Sequence, residues 1–241
     1  MADVDETADP AAKPEHLIVK KKKGIIRKIC SFFSMAAHIL AICFVSYMIY
    51  MAWPFSSLFS WHPVLMSIAF AFLMTEAILF FSPESNLVPK ASRKTKVTYH
   101  WLTNAMAVLC GCAGLAVIVY NKTAAGRPHF TSWHGCLGVC TVAYAALQAL
   151  AGTAHLYPKL TAGLVRMADL KLYHATSGLV LFSLACATLG LGLFSDWFAG
   201  GAHTAAWYFC FGTVSWLALV VMNQVTQAYL PKSLKKPSQQ Y

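Results

Sequence analysis

Four histidines each stand beside the start of an apolar run: Trp61-His62-Pro63, His100-Trp101, Trp133-His134-Gly135 and Tyr173-His174-Ala175. A neutral imidazole is a strong iron ligand, and two facing imidazoles fill both axial positions of a haem. The intervals between the four are 38, 34 and 40 residues, which is one membrane crossing of about 20 residues plus a connecting loop. That spacing places His62 and His134 at one membrane face and His100 and His174 at the other. An unpartnered histidine inside a membrane is costly and needs a hydrogen-bond partner or a metal. Four of them in alternation point to two facing pairs inside a helix bundle, and so to electron transfer across a membrane through two haems. Gly138 and Gly178 each follow a histidine by four residues, on the same helical face. The missing side chain there leaves room for a flat macrocycle.

The elements that carry these residues are membrane helices. Of 241 residues, 58% are hydrophobic and 12% charged, about half the charged share of a soluble domain. Charge-free runs cover 29–75, 97–121, 128–158, 172–195 and 197–231, several longer than the roughly 18 apolar residues that suggest a membrane span. Six helices are expected, at about 29–52, 61–82, 96–120, 130–156, 170–194 and 203–229. Pro54, Pro83, Pro158 and Pro231 serve as stops,. Residues 1–28 form a basic tail, disordered to about residue 20. Residues 29–230 form the membrane domain, and 231–241 a second tail. The N-terminus does not read as a cleaved leader, because its first apolar segment is too long and too far in. The cysteines all lie in or next to apolar runs and read as small packing residues.

The basic residues fix the orientation. Seventeen of the 19 Lys and Arg fall on the face that carries both tails, and only Lys122 and Arg127 on the other. Cytosolic loops carry the excess of Lys and Arg, so both termini are expected in the cytosol. His62 and His134 then lie towards the lumenal side and His100 and His174 towards the cytosol. The same distribution accounts for the net charge of +10 through the lipid bilayer, without nucleic acid. Lys20–Lys28 should lie against anionic lipid.

Other titratable residues in the apolar runs read more plainly. His38 stands alone in the first helix and reads as packing. Glu76 lies fourteen residues past His62, about 21 Å along a helix. It is expected near the interface, paired with a basic loop residue or handling a proton. His129 and His203 near one face, and His155 near the other, are within reach of a substrate. A histidine-lined metal carrier without redox activity would favour acids or broken helices near the midplane. No helix is plainly interrupted in the sequence. A purely structural membrane protein leaves the four-histidine alternation unexplained.

The strings Ser57-Leu58-Phe59-Ser60-Trp61-His62-Pro63-Val64-Leu65-Met66, Phe72-Leu73-Met74-Thr75-Glu76, Lys171-Leu172-Tyr173-His174-Ala175-Thr176-Ser177-Gly178 and Met222-Asn223-Gln224 resemble the cytochrome b561 family over about 30–230. The resemblance implies an all-α integral membrane protein of six helices, with helices two to five a four-helix bundle holding two b-type haems. It maps the ligands onto His62 and His134 for a lumenal haem, and His100 and His174 for a cytosolic one. It implies an enzyme that moves electrons from cytosolic ascorbate to monodehydroascorbate or ferric iron, in an endoplasmic reticulum or vesicle membrane, and it admits a homodimer. Lys94, Lys96, Arg166 and Lys171, with Arg93 next, are the candidates for the anionic donor. Lys122, Arg127 and His129 are those for the acceptor. Ascorbate-specific members carry an Ala-Leu-Leu-Val-Tyr-Arg-like stretch where this chain has Ala77-Ile78-Leu79-Phe80-Phe81-Ser82. They also have lysines where it has Ala91 and Thr95. These departures fall on the donor side and leave the four histidines in place.

Overall fold

A computed structural model describes residues 12–83, 85–157, 159 and 163–233. Six of its helices are long and apolar enough to cross a membrane. They are α1 (Ala12–Ala52), α2 (Leu58–Leu79), α3 (Arg93–Ala124), α4 (Trp133–Leu156), α5 (Met167–Gly192) and α6 (Thr204–Ser233). A single helical turn, Asp196–Gly201, precedes α6, and no strand occurs among the described residues. The chain is an all-α, multi-pass membrane protein. Large apolar side chains such as Phe32, Leu109 and Tyr208 are mostly exposed, as a lipid-facing surface requires.

The helix ends follow local chemistry. The Oγ atoms of Ser92, Ser132 and Ser195 accept from the backbone N–H three residues on, capping α3, α4 and the short turn,. α3 closes with Gly126 at φ 62°. The Gly126 N–H donates to Thr123 O and the Arg127 N–H to Lys122 O, a Schellman ending that only a residue tolerant of positive φ makes without strain. Two expectations are corrected. α1 starts at Ala12, not near residue 29, and only its Ser31–Ala52 part is a candidate span. Lys, a good helix former, fills six of the 17 positions of 12–28 and Pro14 sits in the first turn, so a helix nucleated in the membrane propagates outward. α6 passes Pro231 and ends at Ser233; a proline in a final turn removes one hydrogen bond where few remain to lose. Residues 1–11 and 234–241 lie outside the described residues.

Helices α2, α3, α4 and α5 form a ring, each packed on the next, with α5 closing on α2. α2 therefore faces α4, and α3 faces α5, across the bundle centre. Outside the ring α1 packs on α2 and on α6, and α6 packs on α5 and touches the end of α2; α2 is the most buried span. Glycines permit the tightest contact, α2 on α3. A Cβ built on Gly111 would lie 3.2 Å from Phe70 Cζ, and one on Gly114 3.2 Å from Leu65 Cβ,. α2 is continuous, as expected, but not uniform. Ser67–Leu73 is π-helical, so the span takes in one residue more than an α-helix of its length while staying hydrogen-bonded.

Gly114→Ala should therefore cost about 1–3 kcal/mol, read as a lowered thermal midpoint in detergent. Gly212→Ala, where nothing lies within 4 Å of the added Cβ, should not lower it.

Candidate functional site

The four histidines meet in two pairs across the ring diagonals. The His62 and His134 rings have centroids 6.2 Å apart and planes at 87°, and the His100 and His174 rings 6.2 Å and 74°. A metal–imidazole bond of about 2.0 Å, with the nitrogen about 1.1 Å from its ring centre, puts two trans imidazoles about 6.2 Å apart by centroid. Both pairs thus stand at the separation that one iron between two axial imidazoles needs. Among the described residues no three His, Cys, Asp or Glu gather as a metal cluster. A bis-imidazole site of this kind would suit a macrocycle that brings its own remaining donors.

Each ring is oriented from the neighbouring antiparallel helix. Nδ1–H of His62 donates to Gly114 O at 2.9 Å, that of His100 to Ala77 O at 2.8 Å, and that of His134 to Thr188 O at 3.0 Å. A proton fixed on Nδ1 leaves Nε2 as the free donor to a metal. His174 differs. Gln148 Nε2 donates to its backbone O at 2.8 Å and lies 3.2 Å from its Nδ1, while Gln148 Oε1 accepts from Ser177 Oγ. Tyr144 hydroxyl reaches the same Ser177 Oγ at 2.9 Å, so a side-chain chain runs from His174 towards the midplane.

One spacing governs all four. Gly114 is 14 residues past His100, Thr188 14 past His174, and Gln148 14 past His134. Fourteen residues make about four α-turns, roughly 21 Å, and return to the same face. Ala77 is 15 past His62, and the π segment between them absorbs the extra residue. Each helix thus carries a histidine at one level and a positioning group at the other.

The glycines near the rings are only partly those expected. A Cβ on Gly178 would meet Gln148 Nε2 at 3.2 Å, so the amide takes up that room; one on Gly138 would meet only Thr188 Cγ2, at 3.6 Å. The glycines against the rings are Gly192 and Gly152, where an added Cβ would lie 3.1 Å from His134 Cε1 and 3.4 Å from His174 Cε1. The sequence does not single them out, although each stands 18 residues past the histidine of its own helix and 40 from its counterpart.

A cavity of about 200 Å³ opens beside His62 and His134, and Lys122 and His129 line it with Phe59 and Trp197. Lys122 Nζ donates to Pro128 O, and His129 Nε2 lies 3.2 Å from Thr123 Oγ1, which folds the loop over the pair. Arg127, expected with them, is exposed and outside the lining, because the Schellman turn projects it outward. His203 is exposed and also outside the lining. At the other level Lys96 precedes His100 by four residues and Lys171 precedes His174 by three, on the histidine faces of α3 and α5. Lys96 is half-buried, Lys94 and Arg93 exposed. Arg166 is instead engaged with Asp169 of its own helix at 2.7 and 3.1 Å, and that carboxylate raises the guanidinium pKa. His155 lies at this level, at the face where it is expected, its ring 5.0 Å from His174 and its Nε2 buried without a partner.

His38 and Glu76 depart from expectation most. Neither stands alone nor reaches a basic loop. Both are buried, and His38 Nδ1–H donates to Glu76 Oε1 and Oε2 at 2.7 and 2.8 Å.

A ring of four membrane helices with opposed imidazoles at two levels defines a membrane-embedded haem-binding bundle. The sequence profile of eukaryotic cytochrome b561 matches residues 61–199, the stretch from α2 to the short turn before α6. The chain is 45% identical over 223 residues to the transmembrane reductase CYB561D2 of Mus musculus, covering 92% of this chain and 99% of that protein. It is 44% identical to that of Homo sapiens, with the same coverage. A probable ascorbate-specific transmembrane electron transporter 2 of Oryza sativa subsp. japonica is 31% identical over 56% of each chain. The chain belongs to the cytochrome b561 family, and membership implies b-type haem.

Because Gly192 approaches its ring more closely than Gly152 does, Gly192→Ala should displace His134 more than Gly152→Ala displaces His174. Haem bound per chain, measured as the pyridine haemochrome, should fall further in the former.

Proposed function

We propose that this protein is a transmembrane oxidoreductase that takes electrons from cytosolic ascorbate and delivers them to monodehydroascorbate radical or ferric iron on the lumenal side. The carrying observation is the pair of 6.2 Å imidazole contacts at two levels, separated by about 21 Å. On this reading His62 and His134 hold a lumenal b haem, and His100 and His174 a cytosolic one. Bound there, haem supplies a one-electron carrier at each level. The chain supplies orientation: three backbone carbonyls fix the Nδ1 protons and keep Nε2 directed at the metal. It also supplies an apolar wall that keeps water from the interior between the levels.

Sidedness is supported by the Lys and Arg excess on the face of both termini,. On that face Lys96 and Lys171 stand within a turn of the cytosolic histidines, where an ascorbate anion would be attracted. Lys94 and Arg93 extend the same field outward, while Arg166 contributes less because Asp169 neutralises it. On the lumenal face Lys122 and His129 line the cavity beside His62 and His134 and form the acceptor site, with Arg127 outside it. The relatives named for ascorbate transport and reductase activity support the donor and reaction class. An endoplasmic reticulum or vesicle membrane is the proposed location.

Purified protein should show a low-spin b-type spectrum with two haems per chain, reduced on adding ascorbate. Alanine at His100 or His174 should remove one haem and leave the other. Full haem content in all four single histidine variants would sink the assignment. Lys96→Glu combined with Lys171→Glu should raise KM for ascorbate about tenfold at low ionic strength, an effect that shrinks as salt is added, with the haem spectrum unchanged.

A further inference from the structure

Three successive residues near the end of α2 are each taken by a different helix. The Glu76 carboxylate accepts from His38 of α1, Ala77 O from His100 of α3, and Ile78 O from Gln224 Nε2 of α6 at 2.9 Å. Ala77 O is available because α2 tightens as it ends. Phe80 N–H still donates to Glu76 O four residues back, but Phe81 N–H donates to Ile78 O and Ser82 N–H to Leu79 O, each three back. The change from α to 3₁₀ bonding passes over Ala77 and leaves its carbonyl to the imidazole.

His38 holds both sides of this turn. Its Nδ1–H donates to Glu76 before the change, and its Nε2–H donates to Ser85 O after it, at 2.8 Å. Ser85 N–H and Oγ–H in turn donate to Ser82 Oγ at 3.1 and 3.0 Å. A carbonyl oxygen can only accept, so His38 Nε2 carries a proton, and the histidine and the carboxylate share one more. The pair is neutral as a unit. Removing either member leaves a buried polar or charged group in the membrane without its partner, a costly state. His38 and Glu76 are 6% and 7% exposed, and α1 lies outside the stretch that matches the family profile.

We propose that His38 and Glu76 are positioning residues for His100. Their clasp keeps the end of α2 in the path that aims the Ala77 carbonyl at His100 Nδ1–H, and α1 thereby sets the electron affinity of the centre held by His100 and His174. This rests on the haem reading above. A carbonyl acceptor on the distal N–H makes an imidazole a more basic ligand and favours the oxidised metal. Loosening the clasp weakens that bond and makes the centre easier to reduce.

The test uses the full-length, haem-loaded protein in detergent, with equilibrium redox titration followed by absorbance. His38→Gln and Glu76→Met roughly keep side-chain volume and break the clasp, since a thioether cannot replace the carboxylate and one amide nitrogen cannot donate to both Glu76 and Ser85 O. Each should raise the midpoint of one centre by about 59 mV, a tenfold change for a one-electron couple, with the other centre and the haem content unchanged. His174→Ala, which leaves only the His62/His134 centre, identifies which midpoint moves. The double variant should shift no further than the single ones, and Glu76→Asp should return most of the shift. Should His38→Gln not accumulate, Glu76→Met, close in size to the native side chain, decides. Two resolved wild-type centres with unmoved midpoints in Glu76→Met overturn the clasp. So do equal shifts of both centres, or a lowered thermal midpoint with no change in potential. A wild type without two titrating haems overturns the reading beneath it as well.

Discussion

Inside a bilayer an imidazole nitrogen has no water to fall back on, and the rest of this structure follows from that. Each of the four rings must direct one nitrogen at the bundle centre and give the other a protein partner. The solution is reciprocal. α2 and α3 form one antiparallel pair in which His62 leans on Gly114 and His100 on Ala77. α4 and α5 form a second, in which His134 leans on Thr188 and His174 on Gln148. Four α-turns separate histidine from positioning group on each helix, so the same spacing that returns a residue to its face also sets the distance between the two levels. Placing the two pairs face to face then brings one histidine from each to each level.

Much of this was legible in the sequence because it depends on periodicity. Charge-free runs located six spans, and the 38-, 34- and 40-residue intervals placed the histidines on alternating faces. Within α4 and α5 the pattern repeats at a shift of 40, from His134, Gly138, Gln148 and Gly152 to His174, Gly178, Thr188 and Gly192. That repeat carried a signal for the glycines at the rings that was not used. The π segment of α2 left no such trace, because Ser67–Leu73 reads as ordinary apolar helix. It shows only when Ala77 falls one residue out of step with its counterparts.

What spacing along one helix cannot reveal is contact between helices far apart in the chain. His38 and Glu76 are 38 residues apart, and each looked alone within its own apolar run. Lys122, Arg127 and His129 looked equivalent, yet the turn at Gly126 sends one outward and keeps two over the cavity. The lysines near His100 and His174 were visible as topology. Only their phase on the helix separates Lys96 and Lys171, one turn from a ligand, from Arg166, already paired with Asp169.

A four-helix ring already presents all four histidines, so α1 and α6 call for a reason of their own. The outer side of α2 is polar where a lipid-facing helix is not: it carries the Glu76 carboxylate and the Ile78 carbonyl. Leaving those groups against hydrocarbon would cost several kcal/mol each. α1 covers the carboxylate with His38, and α6 covers the carbonyl with Gln224. The two outer helices therefore make tolerable an α2 whose end is bent to the needs of His100. The most buried span is the one whose hydrogen bonding departs furthest from a regular helix, and the two are cause and consequence: a helix that lends carbonyls to its neighbours must be surrounded by them.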